Sequence, residues 1–274
     1  MYREELIPGS KLRALRVKNQ HCEGLVSPYG AHVLSYIPEG GREVLMVSRS
    51  SHFEAGQPIR GGVPVCWPWF GEAAEPMHGI ARRQYWTFAG ATTAADGGDI
   101  LSFTLEIDHP QRLAARFEVS FGAVLTMRLW SINRGDRDCV LSEALHTYFA
   151  VGDIARITVY GLEHTPWIDT VGDAFRSMPG ASGALTFAGE TDRIYASIAK
   201  VAVDDPVLKR RIIISKHGSA ETVVWNPWQG KAARMADFGD EEYRTMLCVE
   251  AGNMTGTILA PGQPHLLEQQ IRVL

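Results

Sequence analysis

The sequence lacks the features that mark several large classes of protein. It contains only four cysteines (Cys22, Cys66, Cys139 and Cys248), and none of them forms a CxxC pair. This wide spacing argues against a structural zinc site and gives no disulfide framework. No stretch approaches the roughly 20 apolar residues that cross a bilayer, and the N-terminal MYREELIPGSKLRAL is charged where a signal peptide is apolar. We therefore expect a cytoplasmic protein without a membrane partner.

An excess of positive charge is also missing. The formal net charge is -4 and the pI is about 6.1, so no global field attracts nucleic acid. The sequence has no GxGxxG, no Walker-type loop, no GxSxG and no HxH or HExxH pair. These absences favour chemistry that needs only an acid, a base and hydrogen bonds, with no cofactor and no metal ion.

Long helical patterns are scarce, and short β-type runs dominate. Leu125–Asn133 alternates with period two, and a further β-type run covers Val140–Phe149. Only Asp205–Arg210 and Gly239–Met246 could form short helical turns. No repeat or linker divides the chain. The pattern predicts an all-β fold of mostly antiparallel strands with few short helices, as a sandwich or barrel in one domain over residues 1–274.

The most unusual stretch is Arg60–Gly71, which reads RGGVPVCWPWFG. Pro64 and Pro68 each fix φ and remove a backbone donor, so the segment is not an ordinary central strand. It is either a rigid loop whose aromatic side chains close one end of a core, or the wall of a ligand pocket. In the second case Arg60 offers a planar fork of donors to an anion.

Two apolar runs each carry a candidate acid or base. If EALHTYF is a strand, His146 and Tyr148 share one face with Ala144, and Glu143 faces the other way. His146 is then either a tuned catalytic group or a core histidine bonded to a carbonyl. Glu250 ends the run MLCVE and is either a partly desolvated general base or a surface residue at a strand end.

Two polar segments add candidate binding groups. In MHGIARR, His78 is a second histidine, and an extended chain would point Arg82 and Arg83 to opposite faces. Only one of these arginines could then share a pocket with Arg60. In TDRIY, Asp192 could accept hydrogen bonds from ligand hydroxyls, or it could cap a turn.

Four separated segments of the chain resemble those of the hexose-6-phosphate mutarotases, or glucose-6-phosphate 1-epimerases, within the aldose 1-epimerase superfamily. They are IRGGVPVCWPWFG, HGIAR, EALHTYFAVGDI and WNPW…ARMADFGDEEYRTMLCVEAGN, and the shorter TDRIY is also similar. The resemblance implies a galactose-mutarotase-like β-sandwich (supersandwich) that interconverts the anomers of a hexose 6-phosphate without a cofactor. It also implies a small-molecule hexose phosphate as the partner, and we expect a monomer or weak dimer.

The resemblance further implies roles for single residues. His146 becomes the candidate general acid and Glu250 the candidate general base. Asp192 would hold sugar hydroxyls, Arg60 with Arg82 would bind the 6-phosphate, and His78 would line the sugar site. Relatives usually carry glutamine where this chain has Met77. If that glutamine bonds the sugar phosphate, one contact is lost here.

Ring opening suits an acid–base pair, because the anomeric hydroxyl loses a proton while the ring oxygen gains one. We expect Glu250 to be ionised while His146 is protonated, each charge favouring the other. The alternative is a non-catalytic sugar-phosphate sensor on the same fold, which would keep Arg60, Arg82 and Asp192 without needing the pair. A glycoside hydrolase is a weaker alternative, because it normally needs two carboxylates across the scissile bond.

Overall fold

A computed structural model describes residues 2–108, 111–173 and 175–274. Strands make up nearly all of its regular structure. In chain order they are β1 (Tyr2–Leu6), β2 (Arg13–Lys18), β3 (Cys22–Ser27), β4 (His32–Pro38), β5 (Val65–Cys66), β6 (Thr87–Thr93), β7 (Asp99–Ile107), β8 (Leu113–Phe121), β9 (Leu125–Asn133), β10 (Cys139–Leu145), β11 (Tyr148–Ala150), β12 (Thr158–Tyr160), β13 (Trp167–Asp169), β14 (Arg176–Met178), β15 (Thr191–Tyr195), β16 (Val201–Asp205), β17 (Arg210–His217), β18 (Glu221–Asn226), β19 (Met246–Leu259) and β20 (Pro264–Val273).

The helical segments within the described residues are short. There is one α-helix, α1 (Trp228–Ala232), and 3-10 helices cover Ala81–Arg83, Val171–Asp173 and Glu242–Thr245. No described helix is long and apolar enough to cross a membrane. The four cysteines are buried and free. The all-β prediction is confirmed.

The strands form three antiparallel sheets. The N-terminal sheet has the order β1-β2-β3-β4. The first large sheet has the order β14-β13-β15-β18-β19-β10-β5, with β11 also paired to β19, and the second has the order β12-β16-β17-β20-β9-β8-β7-β6. The two large sheets enclose one core of apolar side chains, while a smaller cluster lies under the N-terminal sheet.

On the second large sheet, period-two alternation distinguishes the face that packs against the core from the partly exposed face. Along β9 every odd residue from Leu125 to Asn133 is buried and every even residue is partly exposed. β18 is instead buried at all six positions, and β19 is buried from Met246 to Asn253. A strand buried on both faces must be covered on the side away from the core as well. That covered outer face of β18 and β19 holds the candidate site.

The proline-rich segment lies at the edge of the first large sheet. Its only strand, β5, is two residues long and pairs with β10, as the two prolines require. Trp67 is fully buried and donates its Nε1 hydrogen to Ser131 Oγ at 3.0 Å. The aromatic-plug interpretation therefore applies to Trp67, whereas Arg60 at the start of the segment belongs to the site.

Two sequence expectations about elements need revision, and a third is confirmed. The run Val140–Phe149 is broken between β10 and β11, where the amide of His146 donates to Pro64 O at 3.1 Å. Asp205–Arg210 is a turn rather than a helix, because the Asp205 carboxylate accepts the amides of Val207 and Leu208. Gly239–Met246 does contain the expected helical turn, at Glu242–Thr245.

Candidate active site

Strand register places the candidate groups in a row across four strands. Asp192 on β15 pairs with Trp225 on β18, Trp225 pairs with Cys248 on β19, and Cys248 pairs with Tyr148 on β11. Directly paired residues share one face of a sheet, and so do residues two apart along a strand. Glu250 therefore lies on the same face as Cys248.

His146 and Glu250 meet on this face. His146 Nε2 lies 3.3 Å from Glu250 Oε1, and the two side chains are 9% and 1% exposed. In the described part of the chain, Glu250 Oε2 has no hydrogen-bond partner. A buried carboxylate oxygen without a donor is costly unless a ligand supplies one. The surface interpretation of Glu250 is wrong, and its second oxygen is free to accept a proton from a bound hydroxyl.

Aromatic rings fix the imidazole of His146. The ring of Tyr148 stacks on it, with centroids 4.8 Å apart and an angle of 11° between the planes. The rings of Trp225 and His78 meet it edge-on at 6.1 and 5.6 Å. Glu143 points the other way, as the alternation predicted, and its carboxylate lies 2.9 Å from His265 of the second large sheet.

The environment favours the neutral forms of both members of the pair. Burial lowers the pKa of His146 well below its ordinary value, and three neighbouring groups lower it further, namely His78, Arg60 and Arg82. Burial also raises the pKa of Glu250 well above its ordinary value, and the charge of Asp192 raises it further. These directions oppose the expected carboxylate and imidazolium and favour a neutral imidazole beside a protonated carboxyl group.

Arg60 is held by two partners at the edge of this group. Its Nε donates to Asp237 Oδ2 at 3.1 Å, its Nη2 lies 3.1 Å from the same oxygen, and its Nη1 donates to Tyr148 Oη at 3.0 Å. The side chains of Arg60 and Asp237 are 20% and 16% exposed. Tyr148 and Asp237 raise the pKa of Arg60 against the opposing effect of burial. The guanidinium is therefore charged and fixed in direction.

Arg82 approaches the site from the 3-10 helix Ala81–Arg83, so the condition of an extended chain, under which the two arginines would point to opposite faces, is not met. Its Nη2 donates to Met77 O at 2.7 Å, while its buried Nε has no partner among the described residues. Met77 is 41% exposed, and the hydrogen bond that it accepts from Arg82 is made by its backbone oxygen. Arg82 is buried, and Arg83 is only partly buried. The expectation that one arginine of this pair faces inward therefore fits Arg82.

His78 has a tautomer set by its neighbours. Its φ is +63°, and its Nδ1 accepts the amide hydrogen of Gly71 at 3.2 Å. Burial, followed by the charges of Arg82 and Arg60, lowers the pKa of His78 to about 3. The ring is therefore neutral, and its Nε2–H is the nitrogen left to donate to a ligand.

Asp192 lies at the opposite end of the row from Tyr148. Its Oδ2 is 3.7 Å from Lys231 Nζ, which also lies 5.9 Å from the centroid of the Trp225 ring. Burial raises the pKa of Asp192, and the hydrogen bond from Thr170 and the charge of Lys231 oppose that effect. Asp192 is therefore a half-buried acceptor beside an aromatic surface.

Three groups in the site have donor atoms suited to a metal ion. Ligand atoms of His146, Cys248 and Glu250 all lie within 4.8 Å of one another. Burial raises the pKa of the Cys248 thiol well above its ordinary value, which disfavours the thiolate that binds metals. The direct 3.3 Å contact between the imidazole and the carboxylate is a distance suited to proton exchange.

The structure gathers all six sequence-predicted residues into one region, and it adds others that sequence reasoning missed. Tyr148 could have been found from its period-two spacing to His146, and Trp225 from the WNPW segment. Asp237 had no such signal, because it lies 177 positions from Arg60. A separate cleft of about 1360 Å³ lies beside the loop of residues 233–242 and contains none of the six predicted residues.

The fold and the buried acid–base pair together define an isomerase of the mutarotase class on a β-sandwich. Residues 13–272 match the family model described as aldose 1-epimerase, and the chain belongs to that family. A candidate glucose-6-phosphate 1-epimerase of Escherichia coli K12 is 37% identical over 253 residues, which cover 89% of this chain and 84% of that protein.

Solved structures agree with this family. The crystal structure of a candidate mutarotase, YeaD, from Salmonella typhimurium superimposes with a TM-score of 0.91 at 31% identity, covering 99% of this chain and 93% of that one. A galactose mutarotase-like protein from Lactobacillus casei gives a TM-score of 0.74 at 15% identity, covering 95% of this chain and 100% of that one. The second likeness concerns the fold alone, and it agrees with the predicted galactose-mutarotase-like sandwich.

Proposed function

We propose that this protein interconverts the α and β anomers of a hexose 6-phosphate, with glucose 6-phosphate as the expected substrate. The observation that carries the proposal is the 3.3 Å contact between His146 Nε2 and Glu250 Oε1 in a buried site beside Arg60 and Arg82. The name of the Escherichia coli relative agrees with this substrate.

The reaction is an acid–base opening and closing of the sugar ring. Glu250 takes the proton of the anomeric hydroxyl while His146 gives a proton to the ring oxygen. The C1–O5 bond breaks and C1 becomes a carbonyl carbon. Rotation about C1–C2 presents the other face of that carbonyl. As the ring closes, His146 takes the proton back from the O5 hydroxyl and Glu250 returns its proton to the oxygen on C1. The unpartnered Glu250 Oε2 supports its role as the acceptor of the hydroxyl proton.

The two arginines suit the phosphate. Arg60 is charged and fixed by Asp237 and Tyr148, and the buried Arg82 has an unused Nε–H. Planar guanidinium groups bind phosphate oxygens through paired, charge-assisted hydrogen bonds. The neutral His78 and the acceptor Asp192 are then left for the sugar hydroxyls.

The acid–base pair favours an enzyme over a sugar-phosphate sensor. A sensor gains nothing from a histidine and a glutamate buried together, since burying two ionisable groups costs free energy that ligand binding does not require. We extend the proposal to a cytoplasmic enzyme, a monomer or weak dimer, whose partner is a small hexose phosphate. The absence of a membrane-spanning helix among the described residues is compatible with that setting.

The test is anomer exchange of glucose 6-phosphate measured by NMR, after subtraction of the spontaneous rate. His146→Asn and Glu250→Gln should each lower the enzymatic rate by at least about 100-fold, as expected for loss of a general acid or base. The exposed residues His217 and Glu39 provide matched control substitutions, His217→Asn and Glu39→Gln. Nearly full activity in either site variant would remove the assigned roles, and no acceleration by the wild type would favour a sensor.

A further inference from the structure

We propose that the substrate's phosphate acts on the reaction as well as on binding. Bound at Arg60, it switches the His146–Glu250 pair into its ionised form, and Asp237 and Tyr148 are the positioning residues that make this coupling possible. This inference rests on the proposed function, and it assigns roles to two residues that sequence reasoning did not find.

The contacts form a continuous chain from the anion site to the acid. Asp237 holds the Nε and Nη2 edge of Arg60, and Tyr148 Oη accepts a hydrogen bond from Arg60 Nη1 at 3.0 Å. The Tyr148 ring stacks on the His146 ring with centroids 4.8 Å apart. The guanidinium, the phenol and the imidazole are therefore all fixed relative to one another.

Arg60 keeps donors free for a ligand. A guanidinium carries five N–H groups. Asp237 engages one on Nε and one on Nη2, and Tyr148 engages one on Nη1. One N–H on each of the two terminal nitrogens remains, which is the arrangement that binds two phosphate oxygens at once. A phosphate can therefore bind without displacing Asp237.

The charges around His146 are unevenly placed. Cationic groups come from the proline-rich segment and from the 3-10 helix, namely Arg60 and Arg82, and the neutral ring of His78 meets His146 edge-on at 5.6 Å. From β11, β18 and β19 the facing groups are uncharged or acidic, namely Tyr148, Trp225, Cys248 and Glu250. The cationic side disfavours an imidazolium.

A bound phosphate dianion reverses this imbalance. It places negative charge against Arg60 and so weakens the positive field at His146, in a buried site where water screens little. The proton then moves from Glu250 Oε1 to His146 Nε2 across the 3.3 Å contact. One O–H bond breaks and one N–H bond forms, leaving the carboxylate and imidazolium that ring opening requires.

The experiment supplies the substrate in two pieces. D-Xylose has the ring of glucose without its C6 group, and phosphite can stand in for the missing phosphate. Anomer exchange of xylose is followed by NMR at increasing phosphite, with the buffer-catalysed rate subtracted. We expect saturable acceleration of at least about tenfold, and competitive inhibition of glucose 6-phosphate exchange by phosphite over the same concentration range.

Two substitutions test the positioning residues. Tyr148→Phe keeps the stacked ring but removes the oxygen that Arg60 contacts, so phosphite activation should fall much more than xylose exchange without phosphite. Asp237→Asn keeps an acceptor for Arg60 and should retain most of the activation, whereas Asp237→Ala should lose it. Tyr85→Phe, at an exposed tyrosine, is the matched control.

A third readout separates this coupling from a purely structural role. The pKa of His146, followed by its ¹⁵N chemical shifts, should rise when phosphite binds to the wild type and should not rise in Tyr148→Phe. Competition without acceleration of xylose, or no competition at all, would overturn the proposal. Failure of the proposed function would look different, because glucose 6-phosphate itself would not be turned over.

Discussion

His265 Nε2 lies 2.9 Å from Glu143 Oε1, which makes a second histidine–glutamate pair on the side of the first large sheet opposite to His146 and Glu250. Glu143 is fully buried and also accepts a hydrogen bond from Ser131, the partner of Trp67. The hydrogen bond that His265 donates to Glu143 raises the pKa of His265, whereas burial lowers that of His146. One pair joins the two large sheets, and the other lies on the outer face of the first large sheet.

The first prediction concerns the stability of this inner pair. His265→Ala should lower the free energy of unfolding by about 3 kcal/mol, because it leaves a buried carboxylate without its cationic partner. Urea denaturation at pH 6 measures this loss. His217→Ala, at an exposed histidine on β17, should change stability little.

The same pair predicts a pH dependence of stability. The pKa of His265 is higher in the folded protein than its ordinary value of 6.5. Its stabilising contribution is therefore complete below about pH 6.5 and is lost as the pH rises through the folded-state pKa. The stability difference between the wild type and His265→Ala should shrink from pH 6 to pH 9. A difference that grows over this range would contradict the assignment.

A second prediction concerns substrate selectivity. Arg60→Ala should lower kcat/KM for glucose 6-phosphate by about 100-fold, because two charged hydrogen bonds of about 1.5 kcal/mol each are lost. Free glucose should lose far less. Arg60→Lys keeps the charge but loses the planar fork of donors. Its kcat/KM for glucose 6-phosphate should therefore lie between those of the wild type and Arg60→Ala. Parallel NMR measurements on both sugars decide the matter, and equal losses would argue against a phosphate role.

A third prediction concerns the backbone beside the site. Gly79 has a φ of +76°, and a Cβ there would lie 2.2 Å from Trp67 O. Gly71 has a φ of +62° with nothing within 4 Å of its Cβ position. Gly71→Ala should therefore cost about 1 kcal/mol of stability from strain alone, and Gly79→Ala about 3 kcal/mol or more. Thermal and urea unfolding compare the two variants, and similar costs would show that the clash is relieved elsewhere.

A fourth prediction follows from the charges around His146. With free glucose as substrate, kcat/KM should be bell-shaped in pH, since the pair needs one proton in total. The acid limb should lie below pH 6.5, because burial and then the nearby charges lower the pKa of His146. Arg60→Ala should move this limb upward, and Arg112→Ala, at an exposed arginine, should leave it in place. An unmoved acid limb in Arg60→Ala would contradict this electrostatic effect.

Local patterns were enough to predict much of the fold. Alternation in Leu125–Asn133 predicted β9 with the same bounds, and the two prolines correctly placed the proline-rich segment away from the sheet centre. Asp205–Arg210 was misassigned because its turn depends on a side-chain carboxylate rather than on helical hydrogen bonds. The organisation of the chain as one domain stays a prediction.

The candidate site depends more on pairing between distant strands. His146 and Glu250 were found through motif resemblance, but their residue types alone could not indicate that the pairing of β10 and β11 with β19 brings them into contact. Nor could they indicate the directions of the two pKa shifts, because burial in the folded protein is their largest cause. Asp237 is the clearest example of a site residue that the sequence could not predict, because no pattern near it indicates a contact with Arg60.

The alternation along β19 has a consequence for how this chain can change over evolution. Cys248 and Glu250 lie on the outer face of the first large sheet, while the buried residues Leu247 and Val249 occupy the alternate positions. Inserting or deleting one residue in this stretch would exchange the two sets, turning a carboxylate toward the core and an aliphatic group toward the candidate site. Single substitutions can accumulate here, but the number of residues in Met246–Glu250 cannot change without inverting the two faces of the strand.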